Sequence, residues 1–224
     1  MTDIELRHVE EIVIAISSAG KRIVGLTSPE GDDLVDQAAW SVAEFLARSG
    51  RSVLLIDLQQ PIRESQGDAW TVSDMLARRN VIHKEQCLDV ITIRPNQESR
   101  YAFADTGQLR TALEGLLDVY QFIILELGPV VAASPAKLNP IPMGAACDYL
   151  LLTCQRGSAK RSRLQSVVER LRSARCIIGG VILNEARFSS MGAEVASIVS
   201  WLLWPMPRLR RRVQNWAMNS ELLN

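Results

Sequence analysis

Short runs of apolar residues recur along the chain at wide spacing, and most are continuously apolar rather than alternating with polar residues. Six of them have the length and side-chain character of strands. These runs are residues 23–27, 53–57, 88–93, 122–126, 149–154 and 177–183. Because strands without alternation are typical of a sheet buried on both faces, the pattern predicts a covered central sheet.

Segments with helical periodicity lie between several of these runs. Residues 36–49 place apolar side chains on one face, and Gly50 follows as a C-terminal stop. Residues 107–119 and 158–174 repeat the pattern. Alternation of strand and helix at this spacing predicts β-α-β crossovers. We therefore expect an α/β fold with a doubly wound, mostly parallel sheet and helices on both faces.

Two segments lie outside this alternation. Residues 4–16 have the periodicity of an amphipathic helix ahead of the first strand. Residues 190–224 begin as an apolar helix, break at Pro205 and Pro207, and end in a basic stretch. The predicted parts are an N-terminal helix in residues 1–20, an α/β domain in residues 21–190, and a C-terminal helix and basic tail of the same domain in residues 191–224.

The totals restrict the class of protein. A length of 224 residues suits one α/β domain, and 25 basic residues balance 25 acidic ones, so no net field favours nucleic acid. The N-terminus lacks the apolar run of a signal peptide, and no stretch reaches the roughly 18 apolar residues that span a bilayer. We expect a cytoplasmic protein, peripheral to the inner membrane. Small buried residues, rather than metal or disulfide partners, are expected at Cys87, Cys147, Cys154 and Cys176.

The loop after the first strand is the first place to look for a ligand, because ligands of open parallel sheets bind beyond the carboxyl ends of strands. Residues 27–37 read Thr-Ser-Pro-Glu-Gly-Asp-Asp-Leu-Val-Asp-Gln. With the helix up to Gly50, they resemble the first β-loop-α unit of the bacterial tyrosine kinases of capsule and exopolysaccharide synthesis. These are P-loop ATPases related to the septum-positioning and plasmid-partition ATPases. In that family Thr-Ser, here Thr27 and Ser28, opens a glycine-rich loop ending in Gly-Lys-Ser/Thr.

The loop departs from that family where phosphate would bind. Leu34 stands at the glycine before the lysine, and Val35 stands at the lysine itself. Asp36 and Gln37 replace the two hydroxyl residues, one of which normally contacts magnesium. A phosphate loop works because glycines let backbone N–H groups surround the phosphates while a lysine neutralises them. Both contributions are lost here.

Three aspartates add negative charge to the same loop: Asp32, Asp33 and Asp36. A carboxylate about 5 Å from a phosphate charge costs roughly 3 kcal/mol at an effective dielectric near 20. These aspartates either cap the following helix or engage a basic partner. In both cases we predict that ATP and magnesium do not bind, that the chain has no cofactor, and that it has no catalytic residue.

The resemblance extends over about residues 20–188. Asp57 matches the first aspartate of the family's second acidic motif, whereas Gln59 replaces the next acidic residue. Glu126 stands for the aspartate of the third motif and is one methylene longer. Asn184 falls where relatives often contact the base. Asp57 and Glu126 either bind magnesium or are polar strand ends facing a solvated cleft.

Tryptophans next to clustered arginines distinguish the tail. Such a segment suits a bilayer interface or an acidic partner groove, and the alternative is a last helix packed on the sheet with a basic outer face. The candidate attachment residues are Trp201, Trp204, Arg208, Arg210, Arg211, Arg212 and Trp216.

These observations lead to one function hypothesis and two alternatives. The leading hypothesis is a catalytically inactive, cytosolic component of exopolysaccharide synthesis or export. It would act as scaffold or regulator of a polysaccharide copolymerase-like inner-membrane protein or a glycosyltransferase, with homo-oligomers possible. The first alternative is a weak or partner-completed ATPase or tyrosine kinase that uses Asp57 and Glu126. The second is a positioning or partition ATPase relative that acts as a membrane-associated adaptor.

Overall fold

The computed structural model describes residues 6–30, 34–60, 71–78, 80–85, 87–131, 137–155 and 161–184. The chain divides into two units, Met1–Asn184 and Glu185–Asn224, and every described residue belongs to the first. The predicted boundaries at residues 20 and 190 remain predictions. Among the described helices, none combines the length and the apolar character that a membrane span requires.

The described strands form one sheet. They are β1 (Ile23–Thr27), β2 (Val53–Asp57), β3 (Ile82–Glu85), β4 (Leu88–Thr92), β5 (Phe122–Glu126), β6 (Tyr149–Gln155) and β7 (Ile178–Asn184). Their order across the sheet is β3-β4-β2-β5-β1-β6-β7. All neighbouring strands run parallel except β3 and β4. The predicted mostly parallel α/β sheet is confirmed.

The described helices are α1 (Leu6–Ser18), α2 (Leu34–Arg48), α3 (Val72–Leu76), α4 (Ser99–Ala102), α5 (Thr106–Leu116), α6 (Pro140–Ala145) and α7 (Arg161–Ser173). Four predicted helices correspond to α1, α2, α5 and α7, and the predicted C-terminal helix lies outside the described residues. Gly50 adopts a φ of 78°, a backbone conformation that glycine accepts without strain, and it ends α2 as expected.

The core has two layers because successive strand residues point to opposite faces of the sheet. Leu54 and Ile56 of β2 belong to a cluster with residues of α3, α5, α6 and α7. Val53 and Leu55 belong to a second cluster with residues of α1 and α2. The sheet is therefore covered on both faces, as its continuously apolar strands predicted.

One strand was missed by the hydrophobic pattern. β3 contains a single apolar residue in Ile-His-Lys-Glu, and Ile82 itself is 51% exposed. The strand lies at the edge of the sheet and pairs antiparallel with β4. Edge strands bury little side-chain surface and commonly carry charge, so they leave no apolar run in the sequence.

Candidate functional site

The carboxyl ends of β1, β2 and β5 lie side by side at one end of the strands, and we call this end of the sheet the carboxyl edge. Asp57, the last residue of β2, is directly opposite Glu126, the last residue of β5. Leu26 of β1 is opposite Glu126 on the other side. Asp57 is half-buried, whereas Glu126 is only 5% exposed. The predicted placement of these two carboxylates on neighbouring strand ends is therefore confirmed.

The loop after β1 begins as an extension of the sheet. The Thr27 hydroxyl donates to the carbonyl of Gly128 at 2.7 Å. The N–H of Val130 donates to the carbonyl of Ser28 at 2.9 Å, so the loops after β1 and β5 continue the ladder of their strands. Ser28 is buried as a result.

The next residues of that loop are held by side chains. The Ser28 hydroxyl donates to the carbonyl of Glu30. The Glu30 carboxylate forms an ion pair with Arg163 of α7, whose N-terminus lies at the same edge of the sheet because it follows β6. The beginning of the loop is thus tied to a helix on the other side of β1.

Helix α2 starts where the family's phosphate loop would end. Leu34 is its first residue, and Val35 is only 1% exposed in the core cluster shared by α1, α2 and the sheet. Val35 is thus a core residue, whereas its assignment to a degenerate nucleotide pocket stays a prediction. Asp36 lies in the first turn and accepts the N–H of Gln37 at 2.7 Å, as expected of an acidic residue at a helix N-terminus. The Oε1 atom of Gln37 is buried without a hydrogen-bond partner.

Several carboxylates lie close together at this edge, and they change the pKa of Glu126. Burial raises the pKa of Glu126 to about 7, and the negative charges of Asp57 and Asp36 add to the rise. A hydrogen bond from Gln59 and the charge of Lys137 act in the opposite direction. The edge therefore disfavours a further anion such as a phosphate.

Two glutamines from the loop after β2 donate hydrogen bonds to these carboxylates. Gln59 donates from Nε2 to Oε1 of Glu126 at 2.8 Å, and its backbone N–H donates to Oδ1 of Asp57 at 2.9 Å. Gln60 donates from Nε2 to Oδ2 of Asp57 at 2.8 Å. Sequence reasoning noted Gln59 only as a replaced acid and missed Gln60, since neither contact is visible without the register of β2 and β5.

The residues at this edge do not fit the magnesium ion that the family resemblance implies. Magnesium takes oxygen ligands in nearly ideal octahedral geometry, whereas three N–H donors here occupy oxygens of Asp57 and Glu126. Among the described residues, no group of three or more His, Cys, Asp or Glu side chains is arranged to hold a metal.

Several predicted site residues lie outside the described part of the chain. Asp32 and Asp33 belong to this set, and Asn184 is described only as the last residue of β7, without its side chain. The candidate attachment residues Trp201, Trp204, Arg208, Arg210, Arg211, Arg212 and Trp216 also lie outside it.

An apolar groove of about 360 Å³ lies elsewhere, between α1 and the β6–β7 side of the sheet. Ile12 and Ile16 line it from α1, and Gly179 and Gly180 line it from β7. The Tyr149 ring lies so close to Gly179 that a Cβ added there would be 1.6 Å from the ring. The groove shares no residue with the carboxyl edge.

Among known proteins, the chain resembles solved structures. No protein-family model matches the chain, and no curated protein matches it. The kinase domain of the Escherichia coli tyrosine kinase ETK is 22% identical, with a TM-score of 0.67 over 84% of this chain and 79% of that chain. The chain has the fold of the bacterial tyrosine-kinase domains.

Two further solved structures support this assignment. The VpsO kinase domain is 22% identical, with a TM-score of 0.65 over 81% of this chain and 94% of that chain. The MinD cell division protein of Aquifex aeolicus is 16% identical, with a TM-score of 0.52 over 75% of this chain and 70% of that chain. The resemblance to tyrosine kinases and their positioning-ATPase relatives is confirmed at the level of fold.

Proposed function

We propose that the protein is a catalytically inactive relative of the bacterial tyrosine kinases that acts as a scaffold or regulator in exopolysaccharide synthesis or export. It works in the cytoplasm, peripheral to the inner membrane. Its partner is a polysaccharide copolymerase-like membrane protein or a glycosyltransferase. The shared fold supports the relationship, while the pathway and the partner rest on the motif resemblance.

The observation that carries the proposal is the chemistry of the carboxyl edge. Asp36, Asp57 and Glu126 bring three carboxylates to the place where a tyrosine kinase would hold phosphates and magnesium. The position of the neutralising lysine is taken by Val35, a core residue. Nucleotide phosphates would meet repulsion of roughly 3 kcal/mol per ionised carboxylate about 5 Å away, without the lysine that neutralises them in the family's phosphate loop.

The experiment isolates the tagged full chain from membranes of its native host and identifies the bound proteins by mass spectrometry. We expect a copolymerase-like protein or a glycosyltransferase, retained equally with magnesium and ATP or with a chelator. Retention that requires magnesium and ATP would contradict the proposal. Capture of cell-division or partition proteins instead would favour the adaptor alternative.

One observation favours the alternative of a partner-completed enzyme. Asp57 and Glu126 stand on neighbouring strand ends, and both match positions that carry acidic residues in the family. A partner would then have to supply the missing cation. ATP hydrolysis by the purified complex, lost on Asp57→Asn, would support this alternative, whereas the pseudoenzyme predicts a rate equal to that of the partner alone.

A further inference from the structure

The two strand-end carboxylates receive their hydrogen bonds from one short segment. Gln59 and Gln60 follow β2 directly, and each turns its side-chain amide back to a different carboxylate, Glu126 and Asp57 respectively. An amide group can donate through nitrogen or accept through oxygen. Opposite an ionised carboxylate only the nitrogen side of an amide is attractive, and both amides are found in that orientation.

An amide donor and a divalent cation are alternatives at the same carboxylate oxygen. Each N–H places a partial positive charge where a cation would otherwise lie, and each amide fills the space about 2.8 Å from the oxygen. Magnesium would need to approach to about 2.1 Å and to bring its own waters. An amide must therefore leave its carboxylate oxygen before a cation can bind that oxygen.

The backbone holds this segment in place. The N–H of Leu58 donates to the carbonyl of Glu126 at 3.1 Å, so the chain leaves β2 while still paired with the end of β5. The N–H of Gln59 then donates to Oδ1 of Asp57 at 2.9 Å. The backbone on either side of the Leu58–Gln59 peptide bond is consequently anchored to the ends of β5 and β2.

We propose that Gln59 and Gln60 form an amide lock that takes the place of a divalent cation between Asp57 and Glu126. The lock keeps the two strand ends together without any ligand and closes the edge to metal. The inference rests on the proposed function, because it treats this edge as one that works without magnesium nucleotide. The inference adds that two side chains, Gln59 and Gln60, keep metal from this edge, and that substituting them should restore metal binding.

The test uses Mn²⁺ alone as the probe and the full chain, with free Mn²⁺ measured by electron paramagnetic resonance at about pH 8. We expect Gln59→Asp/Gln60→Ala to bind Mn²⁺ at least about tenfold more tightly than the wild type, a difference of about 1.4 kcal/mol. Gln59→Ala/Gln60→Ala should gain less, because it frees the oxygens without adding a ligand. Gln108→Ala changes an exposed glutamine of α5 and should behave as the wild type.

Two further variants complete the design. Gln60→Ala alone leaves the hydrogen bond from Gln59 to buried Glu126 intact. It therefore keeps the proposal testable if the double variants fail to fold, and it should show a small gain in Mn²⁺ affinity. Adding Glu126→Gln to Gln59→Asp/Gln60→Ala should remove the gain. The lock is refuted if folded variants bind no more Mn²⁺ than the wild type, or if the gain survives loss of Glu126. Binding of magnesium and ATP by the wild type would instead contradict the proposed function, so the two failures are distinguishable.

Discussion

The raised pKa of buried Glu126 leads us to expect an unusual dependence of the free energy of unfolding on pH. The residue is 5% exposed, and burial together with the negative charges of Asp57 and Asp36 raises the pKa of its carboxyl from 4.5 to about 7. A folded-state pKa above the unfolded one means that the folded protein binds the proton more tightly. The contribution to stability is therefore fully present below pH 4.5 and is lost as the pH rises through about 7. At about 1.4 kcal/mol per pKa unit, the shift is worth up to roughly 3 kcal/mol.

Glu126→Gln removes the charge and keeps an acceptor for Gln59. We expect the variant to exceed the wild type in free energy of unfolding by up to roughly 3 kcal/mol at about pH 8, and to match it near pH 4.5. Urea unfolding followed by circular dichroism across this range measures the difference. Glu169→Gln on the exposed face of α7 is the matched control and should follow the wild type. Parallel pH curves for Glu126→Gln and the wild type, or a variant less stable at high pH, would refute the reasoning.

Two other predictions concern the groove and the tail. Gly179→Ala should lower the free energy of unfolding by roughly 1–3 kcal/mol, because the added Cβ would meet the Tyr149 ring at 1.6 Å. Gly180→Ala, whose Cβ would have its nearest neighbour at 3.7 Å, should be nearly neutral, and equal effects of the two would contradict the clash. Removing residues 205–224 should leave a folded chain that no longer sediments with anionic liposomes. The reason is that each arginine near an anionic surface contributes about 1 kcal/mol of membrane-binding free energy. Unfolding of the truncated chain would show that the tail belongs to the core.

The central strands were predictable because burial on both faces leaves a direct trace in the sequence. Residues 23–27, 53–57 and 122–126 were expected as strands and are found with the same bounds in β1, β2 and β5. β3 escaped because an edge strand needs few apolar residues. The short helices α3 and α6 also escaped, since each is too short to show a helical period.

The candidate site was predictable only in part. The motif resemblance placed Asp57 and Glu126 on neighbouring strand ends, and the register of β2 and β5 agrees. The burial of Val35 and the amide contacts of Gln60 depend on how α2 and the loop after β2 pack, which spacing along the chain does not encode. The raised pKa of Glu126 likewise arises from three-dimensional burial rather than from residue type.

Calorimetric titration of the full chain with ATP and magnesium measures whether this chain still binds nucleotide. We expect no binding at cellular millimolar concentrations, because Leu34 and Val35 replace the glycine and the lysine of the phosphate loop, and Asp36, Asp57 and Glu126 add carboxylates at this edge. Leu34→Gly/Val35→Lys/Gln37→Thr is the matched variant, expected to recover weak binding at the expense of stability, since residue 35 lies in the core. A micromolar dissociation constant for the wild type would contradict the claim that this chain has lost its nucleotide chemistry.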